Sequence, residues 1–195
     1  MAGAGISKLD ELAAAARGCT LCAAVLPLGP RPVFRVSETA RLLVISQAPG
    51  TKVHASGMPF DDASGDRLRA WMGIGRDKFY DASKIAFMPM GFCYPGRLPN
   101  GGDAPPRSEC APEWHDQFLA LLPQVELILL VGSYAQRRYL GKGSMTAHVQ
   151  AGARAGGRFL PLPHPSWRTA GWEAKNPWFG EQILPRLKAE VARLT

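Results

Sequence analysis

The chain has 195 residues, 46% of them hydrophobic and 20% charged, enough for a single domain over residues 1–195 with a full core. That balance is ordinary for a globular protein and excludes disorder except at the ends. A formal net charge of +7 leaves two readings, a polyanionic partner or a solvated basic surface.

The first element is "ISKLDELAAAARGC", which puts Ile6, Leu9, Leu12, Ala13 and Ala16 on one face and predicts a short helix. Lys8, Asp10 and Glu11 interrupt any apolar signal core there. No run approaches the roughly 18 apolar residues of a membrane span. A soluble, cytoplasmic monomer with no membrane partner is expected, in a compartment that keeps thiols reduced. Next, "ARLLVIS" is a continuous apolar run, a strand buried on both faces. "SGDRLRAWMGI" opens on Ser64 as a capping residue and carries Leu68, Trp71 and Met72 at helical spacing. "KIAFMPM" predicts a second strand, and "YPGRLPNGGDAPPRSEC" a loop full of turn-formers.

"PEWHDQFLALLPQ" begins with Pro112, a residue that a first helical turn accepts. "VELILLVGS" reads as another doubly buried strand, followed by a helix in "YAQRRYL". "GRFLPLPHPS" is a last strand ending in a turn, and "PWFGEQILPRLKAEVARL" a closing helix bent at Pro185. Apolar strands alternating with helices give an α/β class, a three-layer α/β/α sandwich around a mostly parallel sheet. There is no internal repeat and no linker. Ligands of such sheets bind outside the carboxyl ends of the strands. Two stiff turns fall there, "SQAPG" after Ile45 and "PHPSW" after Leu162.

In the first turn Pro49 fixes φ and Gly50 permits an approach that a side chain would block, so backbone N–H groups can face a ligand's oxygens. The second turn holds His164 between two prolines. Its imidazole is either a donor to a developing anion or a cap on a loop carbonyl. Phe60 and Trp167 are either stacking faces for a base or core aromatics beneath loops. Cys19-x-x-Cys22 has a metal-ligand spacing, and Cys93 and Cys110 complete a set of four. They are either four unrelated thiols or one thiolate cage for Zn²⁺ or an iron–sulfur cluster. Arg137, Arg138, Lys142, Arg154, Arg158, Arg168 and Lys175 form a basic second half or a solvated face. "GKGSMTAHVQ" lacks the order of a phosphate loop and follows no strand, so it carries no phosphate site.

Taken in order, "SQAPG", "GMPF", "SGDRLRAW", "LILLVGSYA" and "HPSW" resemble the uracil-DNA glycosylase superfamily, nearest its family 4 type. The resemblance covers roughly residues 17 to 190 and includes four cysteines in matching order, Cys19, Cys22, Cys93 and Cys110. It implies an enzyme that flips uracil out of DNA and hydrolyses its N-glycosidic bond. It also implies a structural [4Fe–4S] cluster on those cysteines. The first turn, Gln47, Ala48, Pro49 and Gly50, would touch the uracil and position water, Gln47 taking a catalytic place. Phe60 would stack on the base, and His164 would donate to the uracil oxygen O2 as charge grows on the leaving base. Ser166, Trp167 and Arg168 would lie on the loop that enters the DNA stack.

Four positions depart from the pattern. Gln47 stands where family 4 has Glu, and Ala48 where the major housekeeping family has its water-activating Asp. Pro89 sits near the place of the Asn that usually reads uracil. His54 replaces an acidic residue of the first loop, and Asp61 and Asp62 are candidates for the polar work left over. The alternative implied by these departures is a protein of the same fold that binds uracil-containing or single-stranded DNA without cleaving it.

Overall fold

A computed structural model describes residues 5–99, 101–154 and 157–195. Residues 1–4 of the stretch read for a signal core, and the side chain of Arg154, lie outside the described residues. The first helix, α1 (Lys8–Arg17), is capped by Ser7, whose hydroxyl accepts from the Asp10 N–H at 3.2 Å. Leu9, Ala13 and Ala16 are buried as the pattern requires; Ile6 precedes the cap and is exposed. A single 3₁₀ turn, Ala23–Val25, follows the first two cysteines.

The chain then alternates as the apolar runs dictate. Strand β1 (Leu42–Ile45) leads to helices α2 (Thr51–Ser56), α3 (Ala63–Met72) and α4 (Arg76–Phe79), then to β2 (Ile85–Phe87). Helix α5 (Cys110–Ala120), β3 (Leu127–Val131), α6 (Ser133–Leu140), α7 (Met145–Arg154) and β4 (Phe159–Leu162) follow. The chain closes with α8 (Thr169–Lys175), a π-helical turn over Phe179–Ile183 and α9 (Leu184–Leu194).

The sheet has the order β2-β1-β3-β4, and every pairing is parallel. Side chains alternate across it. Leu42, Val44, Leu127 and Leu129 face one layer with Trp71 of α3 and Leu187 and Val191 of α9. Leu43, Ile45, Ile128 and Leu130 face the other, with Ala13 of α1 and Phe118 of α5. The result is the expected three-layer sandwich, with both faces of the sheet covered. Pro161 is tolerated within β4 because that strand is at the edge of the sheet. No helix of the described residues is long and apolar enough to cross a membrane.

Local readings needed correction in four places. Asp62, not Ser64, caps α3: its carboxylate accepts from the Gly65 N–H at 2.9 Å, and Ser64 falls inside the first turn. The predicted last strand is cut to Phe159–Leu162, since Pro163 and Pro165 have no N–H for a ladder. Pro185 does not bend a continuous helix. It sits in the first turn of α9, and the missing N–H is absorbed by the wider π turn before it. The segment rejected as a phosphate loop forms α7, whose start is held by the Ser144 hydroxyl accepting from the Ala147 N–H at 3.1 Å.

Candidate active site

All four strands end on the same side, so the turns after Ile45, Phe87, Val131 and Leu162 gather at one edge of the sheet. A cleft opens there, lined by Ser46, Ala48, Pro49 and Gly50 of the first turn, Phe60 and Asp62, Phe87 and Pro89, and His164 of the second turn. The two turns singled out in the sequence, one after Ile45 and one after Leu162, thus face one space.

Phe60 is placed by a strained backbone. Its φ is +57°, in the left-handed region that non-glycine residues rarely visit. The Tyr80 hydroxyl donates to the Phe60 carbonyl at 3.1 Å, and that carbonyl presses on Gly65 of α3. A Cβ on Gly65 would fall 1.8 Å from the Phe60 oxygen, so only glycine fits. The ring packs against Phe79 edge-on and against Phe87 at a tilt, with centroids 6.2 and 6.0 Å away. Phe60 is therefore a core aromatic and a cleft wall together.

His164 is held by its own loop. Its carbonyl accepts from the Ser166 N–H at 2.8 Å and from the Thr169 hydroxyl. Gly132, directly after β3, lies beside His164; its φ of +88° favours glycine, while a Cβ there would make only ordinary contact with the His164 Cβ at 3.5 Å. Burial holds the His164 pKa below the ordinary value, against the opposing pull of Asp62 and Asp103. The imidazole is neutral at pH 7 and keeps one N–H to donate.

The rest of the loop is braced from α3. Arg67 donates to the Ser166 carbonyl at 3.2 Å and to Glu173 at 2.6 Å. Trp167 stands 78% exposed at the tip, with the Arg168 guanidinium over its ring at 5.4 Å. A stiff loop carrying a bare indole and a cation beside a pocket suits insertion into a base stack.

Gln47 behaves otherwise. Its side chain turns from the cleft and donates to the Ala104 carbonyl at 3.3 Å, while its own carbonyl accepts from the Gly91 N–H at 3.0 Å. The two neighbouring carboxylates are divided. Asp61 forms an ion pair with Arg76 at 2.7 Å, whereas Asp62 lines the cleft. His54, on α2, packs near the Tyr94 ring with its Nδ1 buried and unpartnered.

The four cysteines come together from three segments. Cys19, Cys22, Cys93 and Cys110 line one apolar pocket of about 400 Å³ with Leu26, Phe92 and Trp114. None forms a disulfide. The Phe92 N–H donates to Cys110 Sγ at 3.3 Å, and burial pushes the Cys110 thiol up to about 12. Among the described residues, no group of three or more His, Cys, Asp or Glu side chains is set to hold a single metal ion.

The family model for the uracil DNA glycosylase superfamily matches residues 34–188. The chain belongs to that superfamily. Its match runs from before β1 into α9 and includes both turns of the cleft, Phe60 and His164. Superfamily members act on DNA, and the basic excess of this chain suits that class of partner.

Sequence reasoning missed three residues at this site. Gly65 is the spacer that admits Phe60, and Gly132, with φ +88°, makes the turn beside His164; both sat in quoted motifs but gave no sign of what they faced. Asp103 lies in the turn-rich loop between Cys93 and Cys110. Its one signal was an acid directly after a glycine pair, Gly101-Gly102.

Proposed function

We propose that this superfamily member is a DNA glycosylase that releases uracil from DNA and leaves an abasic site. The observation that carries the reading is the shared cleft: the Ala48-Pro49-Gly50 turn, the Phe60 ring and a half-buried, neutral His164 border one space. A base inside duplex DNA is out of reach, so the uracil is flipped at a cost of a few kcal/mol. Phe60 offers the flipped ring a stacking wall. As the bond to the sugar breaks, the base departs with negative charge, and the His164 N–H meets it. Pro89 brings no side-chain donor to the cleft, so the edge of the base is left to backbone groups of residues 46–50 and to Asp62. Excess enzyme incubated with a uracil-containing oligonucleotide should give an alkali-labile site at the uracil. Tight binding without that site would replace this reading with the non-cleaving one.

Affinity should be largely electrostatic. The logarithm of the binding constant is expected to fall linearly with the logarithm of salt concentration, as phosphates displace counterions. A titration that ignores salt would make the +7 charge incidental to binding.

Four thiols lining one pocket support a shared thiolate site, a structural [4Fe–4S] cluster as the four cysteines in matching order imply, with zinc as the alternative. A bound cluster would supply the charge that buried thiolates need, and it would tie the chain after α1 to the segment entering α5. Anaerobically purified protein should contain iron and acid-labile sulfide. Absence of both iron and zinc, with all four thiols reactive in the native protein, would remove the shared site.

A further inference from the structure

Neither Gln47 nor Ala48 puts a carboxylate into the cleft, yet a carboxylate stands beside the same turn from another part of the chain. Residues 96–98 pair with residues 102–104 as the two arms of a small hairpin. Arg97 bridges Asp103 in antiparallel fashion, the Leu98 N–H donates to Gly102 O at 3.0 Å, and the Ala104 N–H donates to Gly96 O at 2.8 Å. The hairpin is tied to the first turn by the Gln47 amide, which donates to the Ala104 carbonyl. Gly102, with φ +89°, packs it against the Arg168 guanidinium of the second turn, 3.4 Å from where a Cβ would be. Its end brings Asp103 Oδ2 to 3.3 Å from the place a Gly50 Cβ would take. Gly50 borders the cleft, so its missing side chain is the gap through which that carboxylate approaches.

We propose that Asp103 is the catalytic carboxylate of this enzyme, standing in for the acid missing from residues 46–50 and taking the proton of the attacking water. The assignment rests on the glycosylase reading above. A water oxygen bonds to the sugar C1′ while the C1′–N1 bond breaks. The bonding pair leaves on uracil N1, and His164 faces the resulting anion. The proton lost by the water passes to Asp103 and then to solvent. Atoms and charge balance with no further reactant.

The surroundings fit a base better at Asp103 than at Asp62. Asp62 Oδ1 is committed to the Gly65 N–H as the cap of α3. Asp103 has no such bond, and burial raises its pKa above the usual carboxylate range; Arg97 and His164 pull it down, and Asp62 pushes it up. A carboxylate shifted in that direction holds a proton more readily than an ordinary aspartate. Its sequence neighbours also explain Gln47: the side chain does not reach the base but positions the hairpin that carries the acid.

The test is single-turnover cleavage of a uracil oligonucleotide across pH, for the wild type and Asp103→Asn, with DNA affinity and thermal melts measured on the same samples. The groups facing Asp103 are Arg97, Asp62, His164 and, through Gly102, Arg168. The wild-type rate should rise with pH through the Asp103 titration and then level off. Asp103→Asn should cleave about 10²-fold more slowly at neutral pH, lie within the range for general-base removal, lose the acidic limb, and bind DNA as before. A folded Asp103→Asn protein that cleaves at the wild-type rate, or keeps the acidic limb, or loses rate only with affinity, overturns the assignment while leaving the glycosylase reading intact. A wild type that releases no uracil overturns both.

Discussion

His164→Ala is expected to lower the single-turnover rate of uracil release by about 10²–10³, the usual effect of deleting one preorganised donor to a developing anion. The reason lies in when the donor is used. The charge on the base exists only as the glycosidic bond breaks, so the imidazole stabilises the transition state more than the bound DNA. Affinity for uracil-containing DNA should change little. The ring is partly exposed toward the cleft, and its loop is held by Arg67, Thr169 and the Ser166 N–H, none of which bonds the imidazole. The variant should therefore melt close to the wild type. Because the pKa of His164 is already below its ordinary value, its neutral form dominates across pH 7 to 9, and its contribution should be flat there. Wild-type cleavage by well-folded His164→Ala would assign the leaving-base charge to another group.

Gly65→Ala should be strongly destabilising. Helix propensity alone favours it, since Ala inside a helix is better than Gly by roughly 0.5–1 kcal/mol. The geometry predicts the opposite sign. The new Cβ would stand 1.8 Å from the Phe60 carbonyl oxygen and 2.9 Å from the Phe60 Cβ. Overpacking costs about 1–3 kcal/mol where side chains can yield, and here the obstacle is backbone already held at φ +57° by the Tyr80 hydroxyl. A loss of about 3 kcal/mol lowers the melting temperature by roughly 6–12 °C in a chain of this size. Any relief comes from moving Phe60, so uracil affinity and cleavage should fall with it. A Gly65→Ala protein that melts and cleaves like the wild type would show that the α3 start and Phe60 are not locked together.

The sheet was legible because its evidence is periodic and local. "LLVI" and "LILLV" are apolar without interruption, which suits strands covered on both faces. The helices α1, α3, α5 and α9 declare themselves by apolar spacing. Short α2, α4 and α8 have seven residues or fewer and present too little of a face to show a period. Helix α7 was hidden differently: Gly152 lies within it because a Cβ there would meet Pro161 of β4 at 2.5 Å, and that contact is long-range. Ser64 and Asp62 are both good caps, and which one bonds the α3 N–H depends on the turn made at Phe60.

The same division holds at the cleft. Pro49, Gly50, Phe60 and His164 were visible as rigid turns and an aromatic at strand ends, and the fold brings them to one space. The direction of the Gln47 side chain was not visible, because it follows from a hairpin more than fifty residues away. Asp103 was hidden for the same reason: an acid in a turn-rich loop has no period, and only the folded chain sets it against Gly50.

The proposed reaction breaks the bond between uracil and its sugar in this cleft. Mass spectrometry of a single-turnover reaction on one uracil-containing strand should find free uracil and a strand carrying one abasic sugar, in equal amounts. A strand that stays intact while bound to an excess of folded protein would contradict it.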